Sequence, residues 1–232
     1  MTITWVLFAS VGLFTARYMR KVWEPTHLLG LKAWFAFHRI LMTLSVLLTV
    51  TGVIVIFVHV NGWSDGAGPH PYFGIVVLVL ALAQPIMAAF RPHPGEPRRN
   101  IFNWAHRIVG ITALNLGVVT IYYGLATLGL GYGKKNESVK GGFYAVICFY
   151  IGEFLVFLFE VYLINSKRNR EKRTVPVRDI IYMMEQPGHP ARTSPEPEMP
   201  LKEAMIRTMM YVFVVLVGAS VALTIILLIV LK

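Results

Sequence analysis

The chain has 232 residues, of which 56% are hydrophobic and 15% are charged, and its formal net charge is +10. Soluble domains carry about 25% charged residues, and here the apolar residues come in long runs, so the composition excludes an ordinary soluble domain and indicates a membrane protein. Basic loops on the cytoplasmic side account for such a positive charge, which therefore does not argue for nucleic acid as a partner. The single cysteine, Cys148, excludes an internal disulfide.

Six hydrophobic stretches follow in chain order, and each is interpreted as a transmembrane helix because backbone groups in lipid must hydrogen-bond internally. They cover about residues 1–16, 34–59, 70–90, 101–125, 142–164 and 208–231. The last five are long enough for a bilayer, which takes about 20 residues. The first lacks the basic start and the cleavage site of a signal peptide, and is interpreted as a helix missing its first turn. The predicted fold is an all-α, polytopic membrane bundle of six helices with the first one shortened.

The distribution of lysine and arginine predicts the orientation of these helices. One set of loops holds Arg17, Arg20, Lys21, Lys32, Arg91, Arg98, Arg99 and the run KRNREKR at 167–173, whereas the other set holds Lys134, Lys135 and Lys140. The first set is assigned to the cytoplasm, which places the start of the first helix and the C-terminus on the outer side of a plasma membrane or endomembrane. The sequon Asn136-Glu137-Ser138 falls in a loop assigned outside and predicts glycosylation.

The same reading divides the chain into three parts. Residues 1–165 are predicted to form the helical core, and 206–232 the C-terminal membrane helix. Residues 166–205 are predicted to form a basic, proline-rich cytoplasmic loop, whose start is suited to contact with anionic lipid.

Two histidines within the spans are predicted to bind haem. His38 and His106 each lie a few residues inside the cytoplasmic ends of the second and fourth helices. Two neutral imidazoles at one depth on two helices can ligate an iron from opposite sides, which is what a haem in an apolar slot requires. Arg39 and Arg107 directly follow them, near the interface where haem propionates need cationic partners. The alternative is an interfacial imidazole bonded to a carbonyl or a lipid headgroup.

A third histidine, His70, begins the third helix at the opposite face of the membrane and cannot share that haem. His70-Pro-Tyr-Phe-Gly74 and His106-Arg-Ile-Val-Gly110 have the same His-x-x-x-Gly spacing. Residues four apart share a helix face, so Gly74 and Gly110 are predicted to leave room for a macrocycle beside each histidine. Glycine also packs membrane helices closely, and the spacing alone is therefore a weak signal.

Charged residues outside this pattern have structural and functional interpretations. Glu153 and Glu160 lie two turns apart on the fifth helix and are interpreted as structural carboxyls bonded to polar neighbours such as Gln84 or Asn115, with proton relay as the alternative.

A cytoplasmic basic cluster is suited to docking an anionic reductant, although topology and lipid contact would also explain it. Its members are Lys32, Arg39, Arg98, Arg99 and Arg107.

Several stretches within the first 125 residues resemble the cytochrome b561 family and, within it, the ferric-chelate reductase group. They are ARYMRKVW, FHRILM, NGWS, GPHPYFG, LAQPIMAAFRP and PRRNIFNWAHRIVG. The resemblance implies a bundle with two b-type haems, one near each face, each held by two histidines. It implies that His38 and His106 ligate the cytoplasmic haem and that His70 is one ligand of the outer haem. Electrons would pass from a cytosolic donor, usually ascorbate, to an acceptor such as a ferric chelate.

The family's second outer ligand, in a His-Gly-x-Leu-Met stretch, aligns to a position before Met1. The sequence therefore predicts one haem b at the cytoplasmic side and leaves the outer site without this ligand, with His59 as a candidate replacement. The chain is accordingly expected to be a shortened form of a longer family member. The functional hypothesis is haem-dependent electron transfer that reduces ferric chelates with electrons from ascorbate. The alternatives are a haem-deficient membrane scaffold or accessory subunit, and a transporter; the oligomeric state stays open.

Overall fold

The computed structural model describes residues 1–93, 95–127, 137–173 and 199–230. A π-helical segment at Ile3–Ala9 leads into α1 (Ser10–Val22), followed by a short hairpin of β1 (His27–Leu28) and β2 (Leu31–Lys32). The remaining helices are α2 (Ala33–His59), α3 (His70–Ala89), α4 (Arg99–Leu125), α5 (Glu137–Arg173) and α6 (Leu201–Val230), with a 3-10 turn at Asp65–Ala67 before α3.

Five of these helices are long and apolar enough to cross a membrane within the described ranges. They are α2, α3, α4, the segment Tyr144–Leu163 of α5 and the segment Leu201–Leu227 of α6. Large apolar side chains on them are exposed, as at Ile54, Val79 and Phe213, and such side chains face lipid in a bilayer. The predicted all-α membrane bundle is confirmed, and α2, α3 and α4 begin and end within two residues of the predicted limits.

The first helix lies at the centre of the bundle. It packs against α2 and α6, while α3 pairs with α4 and α5 with α6. Phe14, Tyr18 and Met19 of α1 are buried in the common core. The helix continues to Val22, beyond the residue 16 at which the hydrophobic stretch ends.

A two-residue turn reverses the chain between α1 and α2. Leu29 and Gly30 both have positive φ angles, 52° and 73°, which is the backbone of a tight hairpin of the type favoured by the twist of paired strands. The hairpin pairs His27 with Lys32. Because the reversal is tight, the first turns of α2 lie beside α1.

A charged network joins α1, α5 and α6 within the bundle. The Glu160 side chain is only 6% exposed, and its carboxylate pairs with Nε of Arg17 at 2.6 Å and with Nη1 of Arg207 at 3.2 Å. Nη2 of Arg207 also contacts Oε1 of Glu203 at 3.0 Å. Two carboxylates and two guanidinium groups therefore cancel in charge, as burial in a low-dielectric region requires.

The neighbours expected for the carboxyls of α5 are not the ones found. Nδ2 of Asn115 donates to the backbone oxygen of Ile111 at 2.8 Å, and Gln84 lies against α4. Glu153 is buried, and its Oε1 has no hydrogen-bond partner among the residues that the structure describes.

The segment predicted as a long loop overlaps both flanking helices. α5 runs to Arg173, inside the stretch 166–205, and α6 begins at Leu201. Residues 174–198, Asn136 of the sequon, and the outer-loop lysines Lys134 and Lys135 lie outside the described residues.

Candidate bis-histidine site

The end of the bundle that carries Arg20, Lys21, Arg91, Arg98 and Arg99 is called the basic end below. His38 lies near the start of α2 and His106 near the start of α4, both at this end. The two half-buried imidazoles are close enough to interact electrostatically with each other and with Arg91. The structure therefore brings together the two side chains that were paired by their predicted depth.

The orientation of His38 is set by the backbone of α1. Its Nδ1 lies 2.9 Å from the carbonyl oxygen of Gly12. Because a carbonyl oxygen only accepts, Nδ1 carries the proton and donates, which leaves the lone pair on Nε2 available to a metal. A Cβ on Gly12 would lie 2.7 Å from Cε of Met42 and 3.2 Å from Cβ of Leu41, so glycine allows α1 to approach α2 this closely.

We expect Gly12→Leu to lower the free energy of unfolding by about 1–3 kcal/mol, because the added side chain forces α1 away from α2. The change should also lengthen the bond from His38 to the Gly12 carbonyl. Gly52→Leu on α2 is the matched control, since a Cβ at Gly52 meets nothing within 4 Å. Thermal unfolding in detergent measures both variants, and equal losses of stability would contradict the close contact at Gly12.

His106 is held by two side chains. The Gln84 amide lies 2.8 Å from its Nδ1, and the Phe102 ring stacks on the imidazole with centroids 5.6 Å apart. Gly110, predicted to leave room for a macrocycle, lies beside the same amide, where a Cβ would meet Oε1 of Gln84 at 3.5 Å. With Nδ1 contacted in both imidazoles, Nε2 is the remaining nitrogen of each ring, and a bis-histidine haem needs only two such ligands from the protein.

The arginines predicted to serve haem propionates point to the periphery of the site. The exposed Arg39 lies over the Phe35 ring at 5.7 Å, and the exposed Arg107 lies over the Trp104 ring at 5.1 Å.

Arg91 is a cation that sequence reasoning did not assign to the site. It lies 5.2 Å from the Phe35 centroid, within electrostatic range of both histidines, and its buried Nε lacks a hydrogen-bond partner in the described part of the chain. Burial, followed by the nearby Arg99 and Arg20 cations, lowers the pKa of Arg91. The position of Arg91 just after α3, at the end of the bundle where α2 and α4 begin, is the feature of the sequence that could have identified it.

The residues predicted to dock a donor surround the same end. Nζ of Lys32 pairs with Oε1 of Glu24 at 3.2 Å, and both side chains are largely exposed. The Arg99 guanidinium donates to the backbone oxygen of Pro92, and Arg98 is exposed. The pairing with Glu24 offsets the charge of Lys32, so Arg98 and Arg99 carry more of the positive field there.

His70 has a similar environment at the opposite end of the bundle. Its Nδ1 lies 2.9 Å from the carbonyl oxygen of Thr120 on α4. A Cβ on Gly124 would lie 2.8 Å from Cε1 of His70, so this glycine, which no local motif marks, makes room for the ring. At Gly74 a Cβ would meet only Cγ2 of Thr120, at 3.9 Å. His59, the candidate replacement ligand, is exposed at the end of α2.

Comparisons with known proteins show which sequences this chain is similar to. The sequence model of eukaryotic cytochrome b561 matches residues 1–130, which include all three of these histidines. The chain is 35% identical over 169 residues to ferric-chelate reductase 1 of Homo sapiens and 36% identical over 170 residues to that of Mus musculus. Each match covers 72% of this chain and 28% of the relative, so the chain spans little more than a quarter of the length of these proteins.

A more distant relative, a cytochrome b561 and DOMON domain-containing protein of Arabidopsis thaliana, is 32% identical over 140 residues, covering 60% of this chain and 34% of that protein. No solved structure matches the chain.

Proposed function

The chain belongs to the eukaryotic cytochrome b561 family, and we propose that it is a membrane electron-transfer protein that holds a b-type haem between His38 and His106. The observation that carries the proposal is the pairing of two half-buried imidazoles, each contacted at Nδ1, between helices of a membrane bundle. Such a haem, when bound, supplies a reversible one-electron carrier in an apolar site.

The chain's own residues would act on that group in distinct ways. The Gly12 carbonyl fixes the ring plane and the tautomer of His38, so that Nε2 is the ligating atom. Arg91, with its unpartnered Nε, is the cation best placed to pair with a haem carboxylate. Arg39 and Arg107 add positive charge at the rim. Gly110 leaves room beside His106 for the Gln84 amide, and Gly74 leaves space beside Thr120 near His70.

We place the basic end in the cytoplasm, because lysine and arginine concentrate there. A small anionic reductant such as ascorbate would be attracted to Lys32, Arg98 and Arg99, and this attraction raises its local concentration. The relatives named ferric-chelate reductase 1 support a ferric chelate as the acceptor on the other side. We propose that the site between His38 and His106 holds one haem, since two imidazoles complete one set of protein ligands.

The donor and acceptor can be tested by rapid-mixing absorbance of the purified protein. We expect ascorbate to reduce the haem, and a ferric chelate to reoxidise it. The rate with ascorbate should fall as salt rises, because a Debye length of about 8 Å at 0.15 M screens the basic cluster. Reduction by an uncharged donor is the control and should depend little on salt. Absence of reduction by ascorbate at every ionic strength would contradict the proposed donor.

A further inference from the structure

Gln84 is a polar side chain in an otherwise apolar stretch of α3. Between Gly74 and Ala89, it is the only residue whose side chain forms strong hydrogen bonds. In proteins, burying an amide in an apolar environment without hydrogen-bond partners costs about 1–3 kcal/mol of stability, so the partners of Gln84 matter. Those partners lie on the neighbouring helix α4, at His106 and Gly110.

The amide can face His106 in two ways. With its nitrogen toward His106, it donates to Nδ1 at 2.8 Å and to the backbone oxygen at 3.3 Å, while its oxygen accepts from the Gly110 amide at 3.0 Å. Both ends of Gln84 are then satisfied. In this arrangement Nδ1 of His106 is an acceptor, so the proton of the neutral imidazole lies on Nε2.

Iron ligation requires the opposite tautomer. A neutral imidazole that binds iron through Nε2 carries its proton on Nδ1, which is then a donor and needs an acceptor. The amide oxygen of Gln84 is the atom that can accept from it, after rotation of the amide by half a turn. The rotation needs no movement of the backbone, because the amide oxygen and nitrogen exchange places; the bond from Nδ1 then replaces the bonds to the His106 backbone oxygen and from the Gly110 amide.

We propose that Gln84 is a positioning residue for His106, whose amide oxygen accepts the Nδ1 proton when Nε2 ligates the haem iron. This inference rests on the proposed function, in which His106 is an axial ligand. The role of Gln84 toward His106 is then equivalent to that of the Gly12 carbonyl toward His38. The two histidines differ in the group that fixes them. A backbone carbonyl, which substitution does not remove, orients His38, whereas a side chain, which substitution can change, orients His106.

The proposal predicts a change in reduction potential that a purely structural role would not cause. An acceptor at Nδ1 makes the imidazole a stronger donor to iron and favours the ferric state, so loss of the acceptor raises the potential. Gln84→Met keeps the length of the side chain but removes the acceptor. We expect it to shift the ferric–ferrous equilibrium about tenfold toward ferrous, which is 59 mV for a one-electron couple.

Gln84→Glu tests whether the oxygen or the nitrogen of the Gln84 amide faces Nδ1 of His106. A carboxyl group keeps an oxygen that accepts from Nδ1, but a carboxylate has no N–H group to donate. We therefore expect its potential to be at or below that of the wild type, opposite in direction to Gln84→Met. Asn115→Leu is the matched control on α4, because the exposed Asn115 side chain bonds within its own helix in the part of the chain that the structure describes; the potential of this variant should equal the wild-type value.

A redox titration of the purified protein followed at the haem absorbance bands measures all four forms. We expect the reduction potential of Gln84→Met to lie above that of the wild type, and the potential of Gln84→Glu to lie at or below it. Equal potentials, or shifts of both variants in the same direction, would overturn the role of Gln84. If Gln84→Met does not fold, the Gln84→Glu potential decides, since a rise above the wild type contradicts an acceptor role. Absence of bis-histidine haem from the wild type would contradict the proposed function itself, a result distinct from unshifted variants.

Discussion

Substitution of either His38 or His106 by alanine is expected to abolish the bis-histidine haem spectrum of the purified protein. In the proposed site each imidazole supplies one of the two protein ligands of the iron. Loss of a neighbour of a metal ligand commonly costs about 10–100-fold in affinity, so loss of a ligand should cost more. The low-spin reduced bands should disappear in both variants, and haem content should fall by at least about tenfold. Absorbance spectroscopy and a haem assay on equal amounts of folded protein measure the change.

Two other histidine variants control for indirect effects. His93→Ala changes an exposed side chain in the segment between α3 and α4, where the bonds between His93 and Glu96 use the backbone nitrogen and oxygen of His93. His70→Ala changes the histidine at the opposite end of the bundle. Both should keep the spectrum assigned to His38 and His106. Retention of the wild-type spectrum in His38→Ala and His106→Ala would show that the ligands lie elsewhere.

Glu160→Gln is expected to be the most destabilising single substitution in the charged network. It leaves Arg17 and Arg207 facing a neutral amide inside the bundle, and removal of one partner from a buried ion network costs about 3–5 kcal/mol. For a chain of this size, such a loss lowers the melting temperature by the order of 10 °C. Thermal unfolding in detergent, followed by circular dichroism, measures the shift.

The matched control for this network is Glu24→Gln. Glu24 pairs with Lys32 near the short hairpin, but the two side chains are 61% and 49% exposed, so their pair contributes about 0–1 kcal/mol. We expect the melting temperature of Glu24→Gln to stay within about 4 °C of the wild type. If Glu160→Gln and Glu24→Gln melt alike, the network does not stabilise the bundle.

Hydropathy located the membrane helices accurately, because their apolar runs are continuous and need no information from the rest of the chain. Three helices run past their apolar stretches: α5 and α6 extend into the flanking segments, and α1, which was expected to end at residue 16, continues to Val22. The expectation followed from the charge of Arg17. That charge is neutralised by Glu160, 143 residues later, and no local pattern of the first helix contains this partner.

The site shows the same division between local and tertiary information. His38 and His106 could be paired from their depth, since topology alone places the starts of α2 and α4 at one end of the bundle. Their hydrogen-bond partners could not be predicted, because the Gly12 carbonyl belongs to a third helix and Gln84 reaches across from a fourth.

Arg91 was missed for a related reason. Adjacency in sequence favoured Arg39 and Arg107, whereas the fold brings Arg91 toward both histidines from the end of α3.

The haem content of the purified wild-type chain, measured with its reduced-minus-oxidised spectrum, tests the central claim most directly. The proposed site predicts a low-spin b-type spectrum and about one haem per chain, since two imidazoles complete one set of axial ligands. A folded, stable protein without a haem absorbance band would contradict it.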